Sequence, residues 1–300
     1  MTTYIMLTII VYIISLLLLA TLIVEYQLIA NHTVEARKNR LRIRTWWVIC
    51  GICLPVLYIG GWAITVLVYC LVYWAAFEFS RLLNLRINVT LVLIFTFFLV
   101  SYHVLIRALP DFLSLFFIIP FLTFFVLLIV SKLRLRIAAF RNLLVLMLCI
   151  TSIFSIILVG QQSDKLGYDA GLVIVFLFLI TAINDIAQYV FGKKFGQRPL
   201  AKKLSKHKTC EGALGGVLLT SGLSGIVMPY IFDVNGLTAA LIGGVIALFG
   251  IVGDLNVSYL KRHAKVKDSG ISLPGHGGLL DRIDSLILAA PGFGFFLTLT

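Results

Sequence analysis

The run GDLNVSYLKRHAKVKDSGISLPGHGGLLDRIDS, from Gly253 to Ser285, sets three acids, Asp254, Asp281 and Asp284, beside Lys261, Arg262, Lys265 and Lys267. Between them lies a Pro-Gly-His-Gly-Gly turn, residues 274–278. Asp281 and Asp284 are three positions apart, which puts both on one face of a helix. A carboxylate at a helix start also favours the macrodipole, which accounts for one acid but not for three gathered beside four cations. Acids next to basic residues suit a metal–phosphate site. Mg²⁺ takes one or two carboxylates and completes its shell with phosphate oxygens and water. Lys and Arg hold the remaining phosphate charge, and glycines let backbone N–H groups come close to an anion. The bland alternative is a solvated loop leading into a charged helix start.

The elements that must position these residues are membrane helices. Hydrophobic residues make up 60% of the 300, charged residues only 13%, and the mean hydropathy is +1.05. That composition predicts an all-α polytopic membrane protein, a single membrane-embedded domain over 1–300. A spanning helix needs roughly 20 mostly apolar residues. Ten such runs fall at about 4–29, 45–60, 62–81, 88–106, 112–131, 141–160, 169–191, 213–231, 236–254 and 284–300. Only Gly60 and Gly61 separate the second from the third, and the count is nine if that pair sits inside one tilted helix. The first run has no basic residues ahead of it and is too long for a cleaved leader, so it reads as a spanning helix.

Basic residues orient the chain, because Lys and Arg gather in cytoplasmic loops. Of the 25, five fall in 31–44, two in 81–87, four in 132–141, seven in 192–212 and five in 257–283. These are alternate loops and hold 23 of the 25; the others keep only Arg107 and Lys165. Both termini are therefore expected outside and the basic loops in the cytoplasm. This brings the end of the ninth helix, at Asp254, to the same side as the start of the tenth, at Asp281 and Asp284.

The net charge of +12 is spread over short membrane-proximal loops without a separate basic domain, which argues against a nucleic-acid partner. Attraction to anionic headgroups, about 1 kcal/mol per Lys or Arg near the surface, explains loops 31–44 and 132–141. The loop 192–212 carries more charge than orientation needs. Cys50 and Cys53 form a C-x-x-C inside an apolar helix with no His in range, where a thiol behaves as a small hydrophobe. Glu78 is the main acid within a span, and its expected partner is Arg81, three residues on.

The 253–285 run resembles the C-terminal signature of the CDP-diacylglycerol synthases (phosphatidate cytidylyltransferases). The family pattern is Ser-x-apolar-Lys-Arg, then Lys-Asp, Pro-x-His-Gly-Gly and Asp-Arg-apolar-Asp. Here it falls on Ser258, Lys261, Arg262, Lys267, Asp268, Pro274, His276, Gly277, Gly278, Asp281, Arg282 and Asp284. A looser resemblance upstream, to Asp-x-x-Ala-Tyr-x-x-Gly-x-x-x-Gly and Ser-Pro-x-Lys-Thr-x-Glu-Gly, falls on Asp185, Tyr189, Gly192, Gly196, Ser205, Lys208, Thr209, Glu211 and Gly212. Three positions depart from the pattern: Gln188 stands for the usual Ala, Lys206 for Pro, and Val257 where an acid often lies. The resemblance extends over roughly 40–300, weakly before 180. It makes 180–300 the catalytic half and 1–40 an added N-terminal helix and basic loop.

The resemblance implies a nucleotidyltransferase of phospholipid biosynthesis, joining CTP and phosphatidate into CDP-diacylglycerol and pyrophosphate. It implies a bacterial inner membrane and a cytoplasmic active site. Asp254 and Asp281 would be Mg²⁺ ligands, with Asp284 a ligand or just behind; a second, monovalent cation and a homodimer stay open. Lys261, Arg262 and Lys267 would hold phosphates, and Asp185, Ser205 and Lys208 would seat the nucleotide. Gly277, Gly278 and Arg282 would line the substrate, while His276 would donate to a phosphate or brace its loop. The rival readings are a CTP-dependent lipid kinase, an isoprenoid-lipid cytidylyltransferase and an anion transporter. A transporter places polar groups near the bilayer midplane, whereas here they crowd one face.

Overall fold

The structure, a computed structural model, describes residues 2–31, 34–82, 138–201, 205–275 and 277–299, and between them 96, 100, 101, 104, 117–120, 122, 123 and 126. The runs expected at 88–106 and 112–131 lie largely outside the described residues. The elements in chain order are α1 (Thr2–Asn31), α2 (Val34–Ile59), α3 (Gly61–Leu82), α4 (Ala138–Lys165), α5 (Ala170–Phe195), β1 (Pro199–Ala201), β2 (Ser205–Thr209), α6 (Cys210–Val227), α7 (Gly236–His263), α8 (Leu280–Ile283) and α9 (Leu286–Leu297). Six helices among the described residues are long and apolar enough to cross a membrane: α1, α2, α3, α5, α6 and α7. The chain is an integral membrane protein.

Two helices occupy 34–82, because Gly60 (φ +72) and Gly61 (φ +44) both take the left-handed backbone that glycine tolerates. The sequence misplaces three features. The basic stretch 31–44 is not a loop: from Val34 on it is the first three turns of α2. It is secured by Arg40, whose Nε donates to Glu25 Oε1 of α1 at 2.6 Å. The chain is not all-α, since β1 and β2 form an antiparallel ribbon with Pro199 opposite Thr209 and Ala201 opposite Ser205. And the last helix does not run unbroken from 284. It starts at Leu280 as α8, breaks at Asp284–Ser285, and resumes as α9. α7 presses into that break: a Cβ on Gly253 would lie 2.7 Å from the Asp284 carbonyl oxygen.

The core runs the length of α9, whose Leu286, Ile287, Leu288, Ala289, Ala290 and Phe293 are all buried against α4, α5 and α7. A helix apolar all round belongs inside a bundle. α1, by contrast, shows most of its large side chains, Leu16 (66%) and Leu22 (68%) among them. In water that surface would aggregate; in lipid it is solvated.

The basic segments converge on one end. α2 reaches the 274–275 turn, where Thr45 Oγ1 donates to the Pro274 carbonyl at 2.7 Å and Arg42 Nε to that of Gly275 at 3.1 Å. The end of α3 touches Leu279 and Leu280 through Glu78. β2 meets α7 through Lys208 and Asp254. At the opposite end Gln162 Nε2 donates to the Leu297 carbonyl at 3.1 Å, and Tyr168 accepts from Asp233 N. Described residues of three basic segments, 31–44, 192–212 and 257–283, therefore meet at this end, while 81–87 and 132–141 lie largely outside the described residues.

Candidate active site

Two lysines alternate with four aspartates at this end. Lys208 leaves β2 and forms an ion pair with Asp254 Oδ2 on α7, whose Oδ1 lies 3.3 Å from the Ser258 hydroxyl. Local folding aims it: the Thr209 hydroxyl caps α6 by accepting from Gly212 N at 3.1 Å, and side chains alternate along a strand. Lys208 also feels Asp284 and Asp185. Burial pushes its ammonium below the usual lysine range, against the raising fields of those two acids. Glu211 closes the ribbon, accepting from Gln197 N, Arg198 N and Arg198 Nε at 3.0, 3.1 and 3.2 Å.

The second lysine, Lys261, leaves the end of α7 and donates to Asp281 Oδ1 at 2.6 Å, with only 12% and 7% of the two side chains exposed. Asp281 Oδ2 accepts from Ser269 N (2.8 Å), Ser269 Oγ (3.0 Å) and Gly278 N (3.0 Å). Burial pushes this carboxyl up, but the Lys261 ammonium and the N–H groups of Gly278 and Ser269 outweigh it and hold the group below the usual carboxylate range. Asp284 takes its own neighbour's N–H, Ser285 N at 2.9 Å, on Oδ1. Asp185 of α5 is bound to the same corner, its Oδ2 accepting from the Ser285 hydroxyl at 2.8 Å.

The expected site residues divide accordingly. Asp185, Lys208, Asp254, Lys261, Asp281 and Asp284 come together. Arg262, Lys267 and Arg282 stand exposed at the rim, with Arg262 Nη1 donating to the Val266 carbonyl at 3.3 Å. Ser205 lies at the far end of β2 from Lys208's neighbour Thr209, paired with Ala201. His276 lies outside the described residues. Gly277 (φ +87) and Gly278 shape the turn: a Cβ on Gly278 would sit 2.0 Å from Ser269 Oγ and 2.6 Å from Glu78 Oε2. Gly278→Ala is accordingly expected to lower the unfolding temperature in detergent, at a cost of about 1–3 kcal/mol for overpacking, and to reduce turnover. Unchanged values for both would contradict this packing.

Three residues were not legible as site residues. Ser269 and Ser285 are short hydroxyls that no charge pattern in the sequence marks out. Glu78 does not pair with Arg81: it is 2% exposed and accepts from Ser269, Leu279 and Leu280, while Arg81 lies 4.4 Å over the Phe77 ring. A buried acid within an apolar helix was the available signal. Of the departures from the family pattern, Gln188 donates to Asp185 Oδ1 at 3.3 Å, and Val257 is fully buried in the core.

The donor set is hard carboxylate oxygen, which suits Mg²⁺. Among the described residues no three His, Cys, Asp or Glu side chains converge on one point. Mg²⁺ takes one or two carboxylates and fills its shell with phosphate oxygens and water, a demand these aspartates can meet in pairs.

The cytidylyltransferase family's model matches residues 40–300. The chain is 49% identical over 126 residues to YnbB, an uncharacterised protein of Escherichia coli K12, covering 42% of each chain. It is 40% identical over 134 residues to a phosphatidate cytidylyltransferase of Staphylococcus haemolyticus, covering 44% of this chain and 49% of that one. Against the phosphatidate cytidylyltransferase of Staphylococcus aureus strain COL it is 42% identical over 132 residues, 43% and 48% of the two. These matches span about half the length of each relative. With the family's model matched from residue 40 to 300, and lysines and aspartates gathered at one end of a helical membrane bundle, the chain belongs to the cytidylyltransferase family.

Proposed function

We propose that the protein transfers the cytidylyl group of CTP to phosphatidate or a related lipid phosphate, giving CDP-diacylglycerol and pyrophosphate. The observation that carries this reading is the alternation of Lys208 and Lys261 with Asp185, Asp254, Asp281 and Asp284 at one end of a lipid-exposed bundle. A phosphomonoester has a second pKa near 6 and is mostly dianionic at pH 7. Its oxygen attacks the α-phosphorus of CTP, the bond to the β-phosphate breaks, and pyrophosphate leaves with the electron pair. No general base is needed. The difficulty is electrostatic: two anions must meet, and charge builds on the leaving group. Lys208 and Lys261 answer it from within, Arg262, Lys267 and Arg282 from the rim. Asp185 and Lys208 seat the nucleotide, Ser205 adds to that seat only from the far end of β2, Gly277 and Gly278 set the turn against the substrate, and His276 donates to a phosphate or braces that turn.

Asp254 and Asp281 would hold Mg²⁺, with Asp284 beside them; the ion would neutralise phosphate charge between the substrates. Asp281 Oδ2 already accepts from the loop and Oδ1 from Lys261, so a bound cation would share this carboxylate with Lys261. A monovalent cation is a further candidate for the remaining carboxylate oxygens. The test is purified full chain in detergent with labelled CTP and a panel of lipid phosphates. CDP-lipid from phosphatidate is expected; product from an isoprenoid phosphate alone would change the lipid, and no CDP-lipid at all would defeat the reading.

The basic end is proposed to face the cytoplasm of a bacterial inner membrane, following the Lys/Arg bias. In a cysteine-free background, Asp164→Cys is expected to react with an impermeant thiol reagent added outside, and Ile271→Cys, at a position 91% exposed, only after permeabilisation. The reverse pattern would invert the orientation.

A further inference from the structure

Glu78 belongs to α3, far in sequence from the signature residues, and is buried in the bundle. A carboxylate there is costly unless ionic partners or hydrogen bonds replace its water. Among the described residues it has no ion pair. Its donors all come from the 269–280 loop: Leu279 N to Oε1 at 2.8 Å, and Leu280 N and Ser269 Oγ to Oε2 at 3.0 and 3.1 Å. Leu280 immediately precedes Asp281. The single Ser269 hydroxyl proton lies between two carboxylates, 3.1 Å from Glu78 Oε2 and 3.0 Å from Asp281 Oδ2. Glu78 therefore touches both the backbone that carries Asp281 and the hydroxyl that Asp281 accepts.

We propose that Glu78 is a positioning residue for cytidylyl transfer, fixing the loop whose N–H groups and hydroxyl orient Asp281. Thr45 and Arg42 hold the Pro274 and Gly275 carbonyls of the same loop, so α3 holds the two ends of the loop and α2 its middle. Glu78 acts through Asp281, and this rests on the transferase reading above. Glu78→Gln keeps the shape but turns one acceptor into a donor facing a backbone N–H. Misplacement of a reacting group by about 1 Å costs on the order of 10²-fold in rate.

The experiment compares wild type, Glu78→Gln and Glu78→Ala as full chains in detergent, with CTP and phosphatidate, and follows tryptic cleavage at the exposed Lys267. Glu78→Gln is expected to lose about 10²-fold in kcat with KM for CTP within about threefold, since uniform binding is untouched. Cleavage at Lys267 should speed up in both variants. Adding Ser269→Ala to Glu78→Gln should cost far less than the sum of the single changes, because the two share one proton. Wild-type kcat and wild-type proteolysis in both variants would overturn the proposal, and so would aggregation of both, which would leave Glu78 a general stability role only. If wild type itself makes no CDP-lipid, the function fails, while the proteolysis arm still decides whether Glu78 holds the loop.

Discussion

Lys208→Ala is expected to lower kcat/KM for CTP by about 10²–10³-fold, the range seen when one preorganised group facing developing negative charge is removed. Lys208 is paired with Asp254 and also feels Asp185 and Asp284. Without it those acids would repel both each other and the incoming triphosphate. Part of the loss should appear as a raised KM for CTP, since a phosphate contact made in the ground state is uniform binding. Breaking a fully buried ion pair costs about 3–5 kcal/mol. About a fifth of each partner's side chain is exposed here, 22% and 18%, so the folding penalty is expected near the low end. Thermal unfolding in detergent separates that penalty from the kinetic one. Lys208→Arg keeps the charge but carries a wider planar fork, and should retain more activity than alanine. Alanine at wild-type kcat/KM would remove Lys208 from the site.

Asp281→Asn has the second large expected effect: about 10²–10³-fold in kcat, with the protein still extracted in folded form. The substitution preserves size. It removes the charge that holds Lys261 at 2.6 Å and puts an amide where either Lys261 or the N–H groups of Ser269 and Gly278 now donate. On the proposed reading the site would lose a Mg²⁺ ligand and the counter-charge for Lys261 together. Asp268→Ala should be mild by comparison, since Asp268 is exposed on the loop. Full turnover in Asp281→Asn, or turnover indifferent to a chelator, would refute the metal-assisted mechanism and reopen the transporter reading.

Much of this arrangement was legible because it is local or repetitive. Charge sorts across a bilayer, and the described residues of 31–44, 192–212 and 257–283 meet at one end. The glycine pair at 60–61 needed only backbone sterics. The 253–285 run brought its own acids and lysines to one place, because α7 and α8 border the same loop. What the sequence hid is long-range or conditional. Glu78 resembles any acid near a helix end, and the natural partner by spacing is Arg81; the actual donors lie about 200 residues away in the chain. Arg42 belongs to a segment that headgroup attraction already explained, yet with Thr45 it holds the 274–275 turn. The ribbon at 199–209 is too short and too polar for strand periodicity to reveal, and the break at Asp284–Ser285 depends on α7 pressing against it.

Cytidylyl transfer, not phosphoryl transfer or transport, is the reaction proposed where the lysines and aspartates meet. The most direct measurement gives purified full chain phosphatidate and, in separate reactions, CTP labelled at the α- or the γ-phosphate. The α-label is expected to enter the lipid and the γ-label to leave as pyrophosphate, the two in equal amounts. Lipid carrying γ-label with CDP released would make the protein a kinase, and lipid carrying neither label would contradict the account outright.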